Sequence, residues 1–310
     1  MTATTSTPAF EERATFEHGA FHCTVISDGV IQLGPARDSF PHADPAEVDG
    51  LLRQHYLPVD AVLINQNILI VDTGEHRIMF DTGVGTDPGL GRAEFGPGTG
   101  TMLANLTRAG IQPADIDIVA LTHAHPDHSW GLTYADGSRA FPNATVAVGE
   151  ADYTYWTDLS HVEAAPTPHQ KSQFRGAHKN LTPYADRLMF LRGDEQIVPG
   201  VRAIATPGHS PGHLVYEISS CGETMICWGD LCHHEVLLLQ RPDWSFMFDY
   251  DGRSATQQRL RIYDLVHRNR LAVFGYHFPF PGLGHLRQEA DGYAWVPTDL
   301  QRRRCQTGRC

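Results

Sequence analysis

Lysine is nearly absent: Lys171 and Lys179 are the whole complement, and all but two of the 24 basic side chains are arginines, set against 36 acidic ones. The net charge of −12 denies the chain the basic footprint that nucleic acid or an anionic membrane surface recognises, so neither is an expected partner. No window approaches the roughly 18 apolar residues of a membrane span. The opening MTATTSTPAFEER has neither the basic start nor the apolar stretch of an export signal, so the cytoplasm is the expected location. Six cysteines are present, at 23, 221, 227, 232, 305 and 310, and none forms a C-x-x-C pair; they read as reduced thiols, not as a zinc knuckle or redox couple. At 310 residues the chain needs no disulfide staples, since a domain of this size buries about three quarters of its unfolded surface.

What is abundant is histidine. Eighteen copies exceed what a surface needs, and imidazole is the commonest metal ligand. The apolar pattern predicts strands at FHCTVISDG, at AVLINQNILIVDTG and HRIMFDTG joined by a turn near Gly74, and at IDIVALT, VRAIATP, HLVYEIS, ETMICWGD and RLAVFGY. Helices are expected over DPAEVDGLLRQHYL, around Met102 to Ala109 with Gly110 as a stop, and over TQQRLRIYDLVHRN. Residues 150 to 190 read as helical pieces and a long loop. Strands and helices alternate with no low-complexity linker, which points to one α/β domain over 21–300, with a loose arm at 1–20 and a basic tail at 301–310.

The chemistry is concentrated in Thr122-His123-Ala124-His125-Pro126-Asp127-His128, directly after an apolar strand. Four ligand-type side chains in six positions cannot all enter a core without leaving polar groups unsatisfied. On a tight loop, His123 and His125 can converge on one cation while Asp127 and His128 turn to a second. His209, Asp230 and His277 each follow another predicted strand, and strand ends on one sheet edge are where ligands bind. Seven nitrogen and oxygen ligands without a thiolate suit two divalent ions, zinc first, with manganese, cobalt or iron as alternatives.

With its H-x-H-x-D-H run, the DTG at Asp81, the GHSPGH at Gly208 to His213, the WGD at Trp228 to Asp230 and the late His277, the chain resembles the metallo-β-lactamase superfamily. The resemblance implies an αβ/βα sandwich, two mixed β-sheets flanked by helices. It also implies a site in which His123, His125 and His209 hold one metal, Asp127, His128 and His277 the other, and Asp230 bridges them, with Asp81 in support. A hydrolase is then expected, in which a hydroxide shared by the metals attacks the substrate.

Within the superfamily the chain is similar to two branches, the N-acyl homoserine lactonases and the methyl parathion hydrolase-like enzymes. His233 stands where lactonases tend to carry a tyrosine, and together with the phrase HFPFPGLG this leans toward the second branch. The expected substrate is a small molecule: an uncharged aryl ester, organophosphate triester or lactone, or a chlorinated aromatic. A homoserine lactonase and an iron-dependent oxygen enzyme of the same fold are the alternatives. Asp127, Asp230 and His233 are the expected catalytic residues, and Phe95, Trp130, His233 and Phe248 the expected pocket lining, with Trp130 foremost; Trp156, Trp244, Phe246 and Phe278 are further aromatic candidates. By analogy with related enzymes, a homodimer is expected.

Overall fold

The computed structural model describes residues 13–301. Among these residues fourteen strands form two seven-stranded sheets. The first has the order β1 (Arg13–His18), β2 (Phe21–Gly34), β3 (Val62–Asp72), β4 (Arg77–Phe80), β5 (Ile118–Ala120), β6 (Thr145–Gly149) and β7 (Leu188–Leu191). The second runs, from one edge, β8 (Gln196–Val198), β9 (Val201–Ala205), β10 (Leu214–Ser220), β11 (Glu223–Cys227), β12 (Ala272–Phe274), β13 (Leu283–Gln288) and β14 (Tyr293–Pro297). Both sheets are mixed: β4 to β7 are parallel, as are β11 and β12, and the remaining neighbours are antiparallel. This is the sandwich that the resemblance implied.

Why the strands read as continuous apolar runs is visible in their packing. Successive side chains point to opposite faces, so a strand buried on both faces is apolar throughout. Leu69, Val71, Ile78 and Phe80 from the first sheet meet Val201, Ala203, Tyr216 and Phe274 from the second in the layer between the sheets. Their alternates Ile68, Ile70 and Met79 face outward, under Met102 and Leu106 of the helix Met102–Arg108 and Phe174 of the helix Pro168–Leu181. On the other side Ile204, Val215, Ile226 and Val273 are covered by Ile262, Tyr263 and Val266 of the helix Gly252–Arg268. That helix starts where Asp251 accepts the N–H groups of Arg253 and Ser254.

Two expectations need correction. Residues 13–18 are not part of a loose arm but strand β1, paired through Gly19 with β2; Phe16 and His18 are buried on alternate positions, and His18 Nε2 lies 2.9 Å from the Ile218 carbonyl of the other sheet. Residues 1–12 of that expected arm, and 302–310 of the expected tail, lie outside the described residues. The long loop expected within 150–190 is instead filled by helices Glu150–Thr157, His161–Ala164 and Pro168–Leu181. The last begins at Thr167, whose hydroxyl accepts from Gln170 N, followed by Pro168 at the first helical position; the prolines that suggested a loop mark a helix start.

Candidate metal centre

The carboxyl ends of β4, β5, β9, β11 and β12 lie along one edge, and the seven expected ligands follow the last four of these strands. All seven are brought together. One group comprises His123, His125, His209 and Asp230 and another Asp127, His128 and His277, their ligand atoms lying within 4.8 Å of one another in each. Asp230 sits between the groups. Its Oδ2 lies 3.6 Å from His123 Nε2 and 3.2 Å from His209 Nε2, and its Oδ1 lies 3.0 Å from His128 Nε2 and 3.1 Å from His277 Nε2. Asp127 Oδ2 is 3.5 Å from the Nε2 atoms of both His128 and His277.

Whether this cluster fits metal ions can be tested on its unpaired atoms. His123 Nε2, His128 Nε2 and Asp230 Oδ1 are buried and have no hydrogen-bond partner among the described residues. Yet His128 Nε2 and Asp230 Oδ1 are only 3.0 Å apart. Atoms that approach this closely without the alignment of a hydrogen bond are aimed at a third body, and leaving them unmet would cost about 1–3 kcal/mol each. The donor set, imidazole and carboxylate with no thiolate, suits divalent zinc, manganese, cobalt or iron.

The far side of each ring explains the aim. His123 Nδ1 lies 3.0 Å from Thr122 Oγ1, His128 Nδ1 2.9 Å from Asp81 Oδ2, His209 Nδ1 3.0 Å from Asp249 Oδ1, and His277 Nδ1 2.7 Å from the Asn65 carbonyl. A donated Nδ1–H leaves Nε2 as the free lone pair facing inward. Only His125 turns its Nδ1 to the centre, 2.9 Å from His209 Nε2. Asp81 adopts φ +62° and ties the loop further by accepting Thr122 N at 2.7 Å. Gly229 has φ +50°, and a Cβ there would stand 2.7 Å from Thr122, so the WGD turn requires glycine.

The electrostatics call for positive charge. Burial and neighbouring imidazoles hold His123 and His125 well below the usual histidine range, as neutral ligands require. Burial opposes the charge on Asp230, but His128, His277, His233 and His123 around it hold its carboxyl well below the ordinary value. His209 is pushed up to about 9 in spite of burial by its bonds to Asp230 and Asp249. Protons on such histidines do what cations in the cluster would do: they balance buried carboxylates.

Above the cluster opens a cavity of about 230 Å³, lined by Ile31, Leu33, Ile64, Phe95, Phe246 and Phe248, with Asp127, Asp230, His233 and His277 on its floor. The structure places Phe95, Phe248 and His233 on the lining of this cavity. His233 stacks on Phe246 with ring centroids 3.9 Å apart, and its Nε2 is 3.0 Å from Asp230 Oδ2. Its ligand atom also falls in a group with Asp230 and His277, while burial pushes its pKa down to about 4.

Trp130 does not line the cavity. It is 2% exposed, packed edge-on behind Phe95 and so close to Gly176 that a Cβ on that residue would meet its ring at 2.2 Å. Adjacency to the signature placed it under the loop, not over it. Phe278 lies in the core, and Trp244 packs against that core without lining the cavity.

Four supporting residues had no role assigned from sequence. His213 accepts the Asp230 N–H at Nε2, 3.1 Å, with Nδ1 2.8 Å from Thr206 Oγ1. Asp249 anchors His209. Asp152 accepts from Ala124 N, Ser210 Oγ and Gly212 N, joining the two histidine loops. Arg259, 1% exposed, donates to the carbonyls of Leu231, Pro242 and Trp244. The second histidine of GHSPGH was a visible signal; for the others, only the fold supplies the proximity.

Comparison with known proteins agrees with this geometry. Residues 61–267 match the family model described as the metallo-beta-lactamase superfamily. An N-acyl homoserine lactonase of Bacillus thuringiensis is 31% identical over 123 residues, which is 39% of this chain and 41% of that protein. One from Bacillus cereus is 28% identical over 174 residues, covering 51% of this chain and 60% of its own. The matched stretch thus spans about two fifths to three fifths of these curated relatives. Among solved structures, AidC, a dizinc quorum-quenching lactonase in complex with a product, superposes with a TM-score of 0.85 at 27% identity, covering 93% of this chain and 97% of its own. The hydrolase AbOPH superposes at 0.84 with 28% identity, covering 94% and 98%.

Proposed function

Because the chain belongs to the metallo-beta-lactamase superfamily, we propose that it is a dinuclear metal-dependent hydrolase of small uncharged esters, with lactones as the leading substrate class. The observation that carries this reading is the convergence of six ligand-type side chains around Asp230, with buried lone pairs that no protein donor meets among the described residues. His123, His125 and His209 would hold one ion, Asp127, His128 and His277 the other, and Asp230 both. Two divalent ions held there would supply a water of lowered pKa and polarise the carbonyl or phosphoryl oxygen under attack.

The protein's own groups do the rest. Asp230 fixes the spacing of the two halves of the site. Asp127, at 9% the most exposed of the seven, stands on the cavity floor, where its carboxylate can take a proton and return it to a leaving oxygen. His233 holds a buried Nδ1 without a partner among the described residues, a donor or acceptor for the substrate. Ile31, Ile64 and Phe246 exclude water and favour an apolar substituent.

The lactone preference is supported by the homoserine lactonases among the relatives and by AidC. A second reading, an aryl ester, organophosphate triester or chlorinated aromatic, is favoured by the aromatic walls Phe95, Phe246 and Phe248 and by His233 in place of a tyrosine. The test is a panel of an N-acyl homoserine lactone, a simple alkyl lactone, an aryl ester, a phosphotriester, a chloroaromatic and an aryl phosphate monoester, with metal content measured on the same sample. Lactones are expected to give the largest kcat/KM. A dominant phosphomonoesterase activity would overturn the reading, since no arginine lines the cavity to clamp a dianion.

A further inference from the structure

Three amides, Asn65, Gln66 and Asn67, interrupt the apolar run of β3, and Gln66 and Asn67 are fully buried. Buried amides are costly unless they find hydrogen bonds, and these are turned on the ligand loops. Asn67 N donates to the Tyr276 carbonyl at 2.9 Å, and its Nδ2 to the carbonyls of Gly275 at 3.1 Å and Phe278 at 2.7 Å. Asn65 N donates to the His277 carbonyl at 3.3 Å, and the Asn65 carbonyl accepts His277 Nδ1 at 2.7 Å. The turn that follows β12 is thereby pinned to the other sheet on both sides of Tyr276.

Tyr276, 1% exposed, touches every ligand of one half of the centre. Its hydroxyl donates to the Asp127 carbonyl at 2.5 Å, its ring lies over that of His128 with centroids 4.1 Å apart, and His277 is its neighbour in the chain. Gln66 Nε2 adds a longer bond to the same Asp127 carbonyl, at 3.4 Å. Among the described residues, Tyr276 makes no hydrogen bond or ring contact with His123, His125 or His209. The loops of those three are tied instead by Asp152, through Ala124 N on one side and Ser210 Oγ and Gly212 N on the other. Asp127 is held loosely: its Oδ2 stands 3.5 Å from the Nε2 atoms of His128 and His277, against 3.0 and 3.1 Å for Asp230 Oδ1. With so little fixing the carboxylate, its reach is set by what fixes its main chain.

We propose that Tyr276, braced by Asn67, is a positioning residue for one half of the centre only, so that the half made by Asp127, His128 and His277 can be weakened independently of the half made by His123, His125 and His209. This rests on the dinuclear reading above and adds to it an inequality between the two ions. The Tyr276 hydroxyl sets the Asp127 main chain within the short helix Pro126–Ser129. Without it, that carbonyl keeps only the long bond from Gln66, and the carboxylate that completes this half loses its place. Outer hydrogen-bond partners of metal ligands usually carry an effect of about 10- to 100-fold on affinity, and here it falls on one ion of the two.

The test titrates the metal-free full chain with zinc against a competing chelator, reads both stepwise dissociation constants, and follows the histidine ring nitrogens by NMR to see which half fills. The wild type is expected to bind two ions. Tyr276→Phe keeps the ring over His128 and removes only the hydroxyl; one constant should weaken about 10- to 100-fold while the other stays unchanged. At one equivalent of zinc in this variant, the His123 and His209 signals should reach their bound positions while those of His128 and His277 stay free. Gln66→Leu should weaken the same ion by less, and carries the test if Tyr276→Phe does not fold; Asp152→Asn should weaken the other ion. Equal weakening of both ions in Tyr276→Phe, loss confined to the His123 half, or lowered stability with an unchanged ratio of the two constants overturns the proposal. A wild type that takes up no zinc overturns the dinuclear reading and this proposal with it, whereas two ions held equally well by wild type and Tyr276→Phe overturn this proposal alone.

Discussion

Replacing Arg259 by methionine removes a single guanidinium while keeping most of its apolar stem, and the structure sets the size of the effect. Arg259 donates to the carbonyls of Leu231 at 2.8 Å, Pro242 at 3.0 Å and Trp244 at 2.6 Å, and its third nitrogen is 3.9 Å from Asp249 Oδ2. Hydrogen bonds from a charged donor contribute about 1.5–3 kcal/mol each, so three give roughly 5–9 kcal/mol gross. Against this stands the desolvation of a buried guanidinium, which methionine relieves; breaking a buried charge pair from one side nets about 3–5 kcal/mol. A loss of about 3–5 kcal/mol is therefore expected in urea unfolding at saturating metal, because bound ions would otherwise add their own stabilisation unequally. Arg259→Lys keeps the charge but not the planar fork and should fall between. The second effect is on the site: freed from Arg259, Asp249 no longer holds His209 rigidly, and metal affinity should weaken about 10- to 100-fold, as outer hydrogen-bond partners of metal ligands usually show. An Arg259→Met protein within about 1 kcal/mol of wild type would refute the reasoning. Lost stability with unchanged metal affinity would confine Arg259 to packing.

Elemental analysis of protein purified without chelator should find close to two transition-metal ions per chain, and Asp230→Ala should lose both metal and turnover; full activity in that variant would contradict the bridging assignment. His233→Ala is expected to lower turnover with metal content retained, and loss of metal would instead make it a ligand. The acid side of the stability profile carries the signature of His213, whose pKa burial pushes down to about 3 while its Nε2 accepts the Asp230 N–H. The unfolded chain takes up a proton near pH 6.5 and the folded chain does not, so stability falls as pH drops below that point, by about 1.4 kcal/mol per pH unit for this one group. His213→Gln, whose amide oxygen can accept the same N–H, should flatten the slope between pH 6.5 and 5 relative to wild type; equal slopes would show that His213 is not the group responsible.

The clustering of the histidines and aspartates was legible because these residues carry two signals at once, a polar type and a place at the end of an apolar strand. His123, His209, Asp230 and His277 follow β5, β9, β11 and β12 in this way. Strand β1 was not legible, since only Phe16 and His18 of its six residues are fully buried and its hairpin depends on pairing with β2. Pro166 and Pro168 suggested a loop, yet Pro168 opens a fourteen-residue helix. Trp130 was misplaced because sequence adjacency says nothing of which side of a loop faces the substrate. Asp249, in the loop before the helix Gly252–Arg268, and Arg259, on that helix, lie far from the signature in sequence, so no local pattern announces them.

One consequence follows from the way the two sheets share the cluster. His123 to His128 extend from the first sheet, and His209, Asp230 and His277 from the second. The opposite edge of the sandwich is closed by protein alone, where His18 reaches the Ile218 carbonyl. Ions held there would act as rivets along one seam of a clamshell whose hinge lies at the other. Withdrawing them should leave the hinge shut and let the riveted edge gape, so that amide exchange quickens at residues 122–129 and 206–213 while that around His18 and Ile218 keeps its pace.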